Sequence, residues 1–299
     1  MVVCVGEVLV DIFQTEHEKK VCVGGAPFNV FCDIRSLGAD AVFFGSVGND
    51  CYGDTVLDFS KQFEGAKIEK LKDLKTTQAV VTLIGGERTF CFHRQATADY
   101  VFENIVNKVG DAFKNQDVKV LHLGSLMLSK KEGVKTFFDL VDNFKGKAKI
   151  SFDVNYREVF ESEEDAKKLL IRAIDSVDIV KLSQEELTFL TGEKDIKQGV
   201  KLLNLDNKIT LITCGENGSY YIYKDLFLKV ESKKVTPIDT TGAGDGFLSY
   251  MLYKIGSFKL TDKKEVLIAM KNANTLGAYV TQKKGAIINT EEVKNICFS

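Results

Sequence analysis

Short apolar runs alternate with helical patterns along this 299-residue chain, and that alternation narrows its possible folds more than any other feature. Val2–Gly6, Val42–Val47, Val118–Leu123, Lys149–Asp153, Asp178–Leu182 and Lys208–Cys214 have the length and apolar content of buried strands. Between the first two, "PFNVFCDIRSLG" sets Phe28, Phe31, Ile34 and Leu37 near helical spacing before Gly38 ends the run. "SEEDAKKLLIRAID" opens with Ser162 and Asp165 at cap spacing and continues with Leu169, Leu170, Ala173 and Ile174. Repeated strand-then-helix units build an α/β fold, a central mostly parallel β-sheet flanked by helices on both faces.

Two segments depart from that rhythm. Strands within about 12–23 and 76–98 follow one another with no helix between their parts, and "AVVTLIGGERTFCFHR" reads as a hairpin turning at Gly85-Gly86. They predict a small accessory sheet beside the main one. With two Pro in the chain, no repeat and no low-complexity tract, a flexible linker has no support, and one domain over 1–299 is expected.

Composition excludes several classes. A hydrophobic content of 44% and a net charge of −2 leave neither a basic footprint for nucleic acid nor an acidic tail. No apolar run approaches the ~20 residues of a membrane span. "MVVCVGEVLV" reads as a buried first strand rather than a signal peptide. The seven Cys are scattered, odd in number and never in a C-x-x-C pair, so reduced thiols packed mostly in the core and a cytoplasmic protein are expected. The three His share no metal-ligand spacing and pair with no evident nucleophile.

"TPIDTTGAGDGFLSYML" carries the chemistry. Gly242-Ala243-Gly244 sits ahead of the apolar helix pattern Phe247, Leu248, Met251 and Leu252. Small residues at a helix start leave backbone N–H groups open to an anion, and the helix dipole favours negative charge there. Asp245 in the same turn can accept a proton from an alcohol, the layout for moving a phosphoryl group onto a hydroxyl. A first-turn acid behind a tight glycine turn explains the same letters.

Further motifs decide between these readings. "DTTGAGDGF" closely resembles the C-terminal signature of the ribokinase-like (PfkB) carbohydrate kinases, and "VGGAPFNV" with "SLGADAVFFGSVGNDCYGD" resembles their N-terminal signature. "GEVLVD", "FDVNYR", "KLSQEEL", "TCGENGS" and "NTLGAYVTQKKGA" follow in the family's order across nearly the whole chain, and the wording leans towards the fructokinase branch. The resemblance implies a ribokinase-like fold in which the accessory sheet is a lid over the sugar. It also implies ATP and Mg2+ as cofactors, and a homodimer formed through the lid.

Residue by residue, the resemblance makes Asp245 the catalytic base, with Gly242, Ala243 and Gly244 supplying the amide cradle. Asp11 corresponds to the acid that holds sugar hydroxyls, with Gly24, Gly25, Asn29 and Arg94 around the same sugar. Asp153, Asn155, Arg157 and Lys181 fall on the phosphate side. Thr213, Gly215, Gly218 and Asn274 correspond to positions bordering the nucleotide. Glu186 corresponds to a residue that organises Mg2+ through water. Ser183 stands where the family usually has Asn, and Ser183 with Glu186 also has the spacing of a capping box. Asp239, Thr241 and Gly285 correspond to the surroundings of a monovalent-cation (K+) site.

The expected activity is ATP-dependent phosphorylation of a sugar hydroxyl, with fructose as the leading acceptor. Ribose, 2-keto-3-deoxygluconate or a nucleoside are the alternatives within that chemistry, and a sugar-sensing protein without turnover is the alternative outside it. A dinucleotide-binding oxidoreductase lacks its G-x-G-x-x-G after the first strand.

Overall fold

A computed structural model describes residues 1–15, 18–84 and 87–298. The strands are β1 (Val2–Val5), β2 (Leu9–Thr15), β3 (Lys19–Gly24), β4 (Ala41–Gly48), β5 (Ala66–Leu71), β6 (Gln78–Ile84), β7 (Glu87–His93), β8 (Val120–Leu123), β9 (Lys149–Asp153), β10 (Ile179–Ser183), β11 (Ile209–Thr213), β12 (Ser219–Tyr223) and β13 (Leu226–Val230). The helices are α1 (Ala26–Ser36), α2 (Cys51–Ser60), α3 (Ile105–Asn115), α4 (Lys131–Phe144), α5 (Glu163–Ser176), α6 (Gln184–Thr191), α7 (Ile196–Leu202), α8 (Ala243–Lys254), α9 (Lys263–Val280) and α10 (Thr290–Lys294).

Nine strands form the main sheet in the order β13-β12-β11-β10-β9-β8-β1-β4-β5. The run from β11 to β5 is parallel, and β12 and β13 add an antiparallel margin. The chain begins at β1, builds outward through β4 and β5, then returns to β8 on the other flank of β1. Such a reversal opens a crevice at the carboxyl ends of the strands. All six strands expected in this sheet are present. The chain also contributes β5 and β13, whose letters "AKIEKL" and "LFLKV" mix charge into the apolar pattern because they are edge strands, half open to water.

The second sheet has four strands in the order β3-β2-β6-β7, two antiparallel hairpins joined by the parallel pair β2–β6. The expected Gly85-Gly86 turn lies outside the described residues. The sheet begins at Leu9, earlier than the expected Ile12. The apolar stretch from Val2 to Val10 is broken only by Gly6-Glu7, which gives no periodic signal of where one sheet ends. Alternation along β2 sends Val10 and Ile12 into the core that includes Val56 of α2, and leaves Leu9, Asp11 and Phe13 facing the crevice.

Helices cover both faces of the main sheet. On one face α1, α8 and α9 pack over Cys4, Phe43, Ile179 and Leu211, and Phe28 meets Phe43 edge-on at 5.0 Å. On the other, α3 to α7 pack over Val3, Leu121, Phe152 and Leu182. Helix starts follow their sequence signals. The Ser162 hydroxyl accepts from the Asp165 amide, and Gly38 ends α1 in a left-handed conformation (φ 83°). The seven thiols are free, but only Cys4, Cys32 and Cys214 are buried. Cys22 is half-buried, and Cys51, Cys91 and Cys297 are exposed, so the expected core location holds for a minority. No helix among the described residues is long and apolar enough to cross a membrane.

Phe137 of α4 is fully buried, with its ring against Phe152 at 5.4 Å. Phe137→Ala should cost about 3–5 kcal/mol, the usual range for emptying an aromatic core position. Chemical unfolding of the variant checks this, and a loss under about 1 kcal/mol would mean the layer is not packed as described.

Candidate active site

A cleft of about 570 Å³ lies at the carboxyl ends of β1, β9, β10 and β11, with the small sheet as its roof. Two residues of positive φ shape its ends. Gly242 caps α8 at φ 79°, where a Cβ would lie 2.6 Å from Ala286 Cα, and Gly25 caps α1 at φ 114°, where a Cβ would lie 2.5 Å from the Glu7 carbonyl oxygen. Both positions are closed to side chains.

Asp245 sits in the first turn of α8, largely buried yet lining the cleft. Its Oδ2 accepts a hydrogen bond from Nδ2 of Asn29 at 2.8 Å. Burial raises its pKa above the ordinary aspartate value, and the Asn29 hydrogen bond, Lys181 and Arg157 oppose that rise. At the start of α8 the Ala243 amide donates to the Thr240 carbonyl at 3.3 Å, while Gly242 and Gly244 line the cleft beside the carboxylate, where a helix start favours an anion.

Lys181 adds positive charge to the same corner. It is buried on β10, and its ammonium pairs with Oδ2 of Asp153 on β9 at 3.0 Å, the two residues being register partners. Burial works against the ammonium, but Asp153, Glu186 and Asp245 outweigh it and hold the Lys181 pKa above the ordinary range. A Cβ on Gly244 would lie 2.8 Å from Lys181 Nζ, so glycine there makes room for the ammonium.

Asp11 projects from β2 at the other end. Its pKa is pushed up to about 7, first by burial and then by the neighbouring Asp245 charge, with Arg157 opposing. A Cβ on Gly24 would fall 2.4 Å from Asp11 Oδ2. Glu7, just past β1, also lines the cleft and was missed by sequence reasoning, as were Thr240 and the apolar wall of Leu9, Phe13 and Leu126. Glu7 is 1% exposed and its Oε2 has no hydrogen-bond partner. Burial pushes its pKa up to about 8. The "GE" in "GEVLVD" was the available signal, since an acid inside an apolar run needs a reason to be there.

The structure brings Asp11, Gly25, Asn29, Asn155, Arg157, Lys181, Glu186, Thr213, Thr241, Gly242, Gly244 and Asp245 to this one cleft. Asn155 turns through a left-handed φ of 31° directly after β9. Glu186 accepts from the Tyr156 amide at 2.8 Å through one oxygen and from the Ser183 amide at 2.7 Å through the other, completing a capping box with Ser183. The remaining candidates lie around it. Arg94 is buried outside the cleft lining, with donors on Asp99, Ser129 and the Leu126 carbonyl. Asn274 of α9 donates to the Val230 and Glu231 carbonyls and accepts from Ser219, clamping β12 and β13 onto the helix. Gly215 and Gly218 form the turn between β11 and β12, both at positive φ. Asp239 accepts from the Thr241 amide and hydroxyl through Oδ1, and its own amide donates to the Thr281 carbonyl, bringing this loop against the segment that carries Gly285.

An amide cradle, a buried ammonium and a cleft-facing carboxylate at the switch point of a parallel sheet define a class of α/β enzyme that moves a phosphoryl group to an alcohol. The family model of the pfkB carbohydrate kinases matches residues 1–293, and the chain belongs to that family, making it a sugar phosphotransferase. It is 33% identical to fructokinase-1 of Zea mays over 307 residues, covering 96% of this chain and 93% of the relative. The fold is similar to that of the fructokinase from Xylella fastidiosa with bound ATP, at a TM-score of 0.87 and 26% identity, over 98% of this chain and 97% of the other. A fructokinase double mutant from Vibrio cholerae O395, in a form bound to fructose, ADP and potassium ion, gives a TM-score of 0.85 and 27% identity over 99% and 97%.

The Glu7 carboxyl yields a stability prediction. Its folded-state pKa of about 8 exceeds the ordinary 4.5, so folding takes up a proton between those values. The stability this group contributes is full below its unfolded pKa and lost as pH rises through the folded one. Glu7→Gln removes that loss. Relative to the native protein, the variant should gain thermal stability between about pH 5 and about pH 8. A difference in Tm that stays constant over this range would show that Glu7 does not titrate there.

Proposed function

We propose that the protein is an ATP-dependent fructokinase that transfers the γ-phosphoryl group of ATP to a hydroxyl of fructose. The observation that carries the reading is the position of Asp245, in the first turn of α8 and lining the cleft together with Gly242 and Gly244. The similarity to the Zea mays fructokinase, and to a Vibrio cholerae fructokinase structure holding fructose and ADP, supports fructose as acceptor.

In this reading the whole chain works as one kinase domain and the small sheet is its lid. Asp11 takes sugar hydroxyls from the lid side, with Gly24, Gly25 and Asn29 at the same end and Arg94 supporting the lid from its buried network. Asp245 aligns the attacking hydroxyl and accepts its proton as the new oxygen–phosphorus bond forms. The bond from phosphorus to the bridging oxygen of ADP breaks, and the electron pair leaves with ADP. Amide groups at Gly242 and Gly244, with the Lys181 ammonium, stabilise charge on the transferring group, while the expected Ala243 amide is instead held by the Thr240 carbonyl, so positioning and electrostatics supply most of the acceleration. Asn155, Arg157, Thr213, Gly215, Gly218 and Asn274 belong to the nucleotide side, Asn274 by fixing the turn that borders it.

A bound Mg2+ would neutralise charge on the phosphates. Both oxygens of Glu186 already hold backbone amides, and no cluster of three or more His, Cys, Asp or Glu among the described residues can hold a metal directly. The residues therefore fit a hydrated ion met through water by the remaining lone pairs of Glu186. The Asp239, Thr241 and Gly285 loops are the place for a monovalent cation. A homodimer through the lid would use β3 and β7, the edge strands of the small sheet.

ADP release measured against fructose, ribose, 2-keto-3-deoxygluconate and adenosine tests the acceptor, and turnover of any of the others above fructose would overturn the fructokinase assignment. Asp245→Asn should retain Tm and ATP binding but lose ~10²–10⁴ in kcat, the usual worth of a positioned base. Near-native turnover would remove Asp245 from that role. Asp11→Ala should act chiefly on the KM for the sugar.

A further inference from the structure

We infer that Asn29 is the positioning residue of Asp245: its amide holds the base carboxylate in the orientation that presents it to the acceptor hydroxyl. This rests on the reading of Asp245 as the base, and adds to the sugar contact proposed for Asn29 a second duty on the enzyme's own carboxylate.

Geometry carries the inference. Asn29 lies one turn into α1, is 4% exposed, and spends its donor on Asp245 Oδ2 at 2.8 Å. That leaves Oδ1 of Asp245 as the oxygen available to an incoming hydroxyl. The Asn29 Oδ1 is buried with no partner. An amide placed only for packing would have both ends satisfied. Here the donor end is committed and the acceptor end waits, the state expected of a group that bridges a base and a ligand not yet bound.

A second tie one helical turn further on keeps the first in register. On α1, Asp33 follows Asn29 at i+4, and on α8, Ser249 follows Asp245 at i+4. The Ser249 hydroxyl lies 2.6 Å from the Asp245 carbonyl oxygen and 3.3 Å from Asp33 Oδ2. The single hydroxyl proton of Ser249 is directed chiefly at the closer Asp245 carbonyl, with Asp33 Oδ2 as a second, longer acceptor. Burial raises the Asp33 pKa, and the Ile288 amide and the Ser249 hydroxyl oppose that rise. Asp33 also accepts from the Ile288 amide at 2.9 Å, anchoring this pair of helices to the C-terminal segment. Asp245 is thus held at its side chain and at its backbone by ties to the same face of α1.

The groups facing Asp245 fix the sign of the test. Lys181 and Arg157 favour its carboxylate, and Glu7, Asp11, Asp33 and Asp153 are themselves raised by it. Only Asn29 favours the carboxylate by a direct hydrogen bond. Removing that bond raises the Asp245 pKa, so the acid limb of kcat/KM moves to higher pH.

The experiment compares pH profiles of fructose-dependent ADP release for the native enzyme, Asn29→Ala and the isosteric Asn29→Asp. Asn29→Ala should move the acid limb up by about one pH unit and lower kcat about tenfold. Asn29→Asp keeps the shape, puts a second carboxyl against the base and should move the limb further. A raised KM for fructose with both acid limbs unmoved would assign Asn29 to the sugar alone and overturn the inference. Carboxyl ¹³C NMR of aspartate-labelled protein, with Asp245→Asn supplying the assignment, reads the same pKa without turnover. If the native protein phosphorylates no acceptor, the functional reading fails by itself. The NMR titration still decides the inference, upheld by a raised Asp245 pKa in either Asn29 variant and overturned by an unchanged one.

Discussion

The contact between α1 and α8 is the constraint on which the site depends. The first helix begins at the glycine pair that joins the small sheet to the main layer, and the eighth begins at the amide cradle. The two tie points, Asn29 to Asp245 and Ser249 to Asp33, each join residues 216 positions apart. In a buried setting, a polar group left without its partner costs about 1–3 kcal/mol, so such ties admit few alternative registers. Asn29 and Asp245 are therefore set against each other by one helix–helix interface, whatever the small sheet does above them.

Charge is the second organising term. Glu7, Asp11, Asp33, Asp153 and Asp245 all meet burial in the same region, and every one has its pKa raised. Lys181 and Arg157 are the cations that bear on Asp245. A site so short of positive charge cannot accept a polyphosphate on side chains alone. The start of α8 contributes positive potential, and the hydrated divalent cation proposed beside Glu186 would add to it. The acidic excess also keeps Lys181 charged, because three carboxylates face one ammonium.

Much of this was legible in the sequence, and the exceptions have a common cause. Buried parallel strands declare themselves by local apolar runs, so β1, β4, β8, β9, β10 and β11 could be read directly. The glycine turn before Asp245 and the capping box at Ser183 are also local. What escaped depends on distant partners. The letters around Asn274 match a position beside a nucleotide, but they do not show that its amide donates to the Val230 carbonyl, 44 residues away. Nor do the letters around Arg94 show the buried network of Asp99, Ser129 and Leu126 that holds its guanidinium. The bond between Asn29 and Asp245 joins two motifs that were each read separately, and nothing in either says that they touch.

The glycines of the site are explained as much by space as by backbone conformation. Gly24 and Gly244 have ordinary φ values, so flexibility does not account for them. A Cβ at the first would strike the Asp11 carboxylate, and a Cβ at the second would crowd the Lys181 ammonium. Each absent methyl group leaves room for a charged side chain that points into or beside the cleft. A glycine-rich turn at a helix start suits an anion, because the helix dipole favours negative charge there. In this chain the same turn is also shaped around a lysine from β10. The cradle then owes its positive potential to two sources, a helix terminus that cannot be titrated and an ammonium that its acidic neighbours prevent from losing its proton.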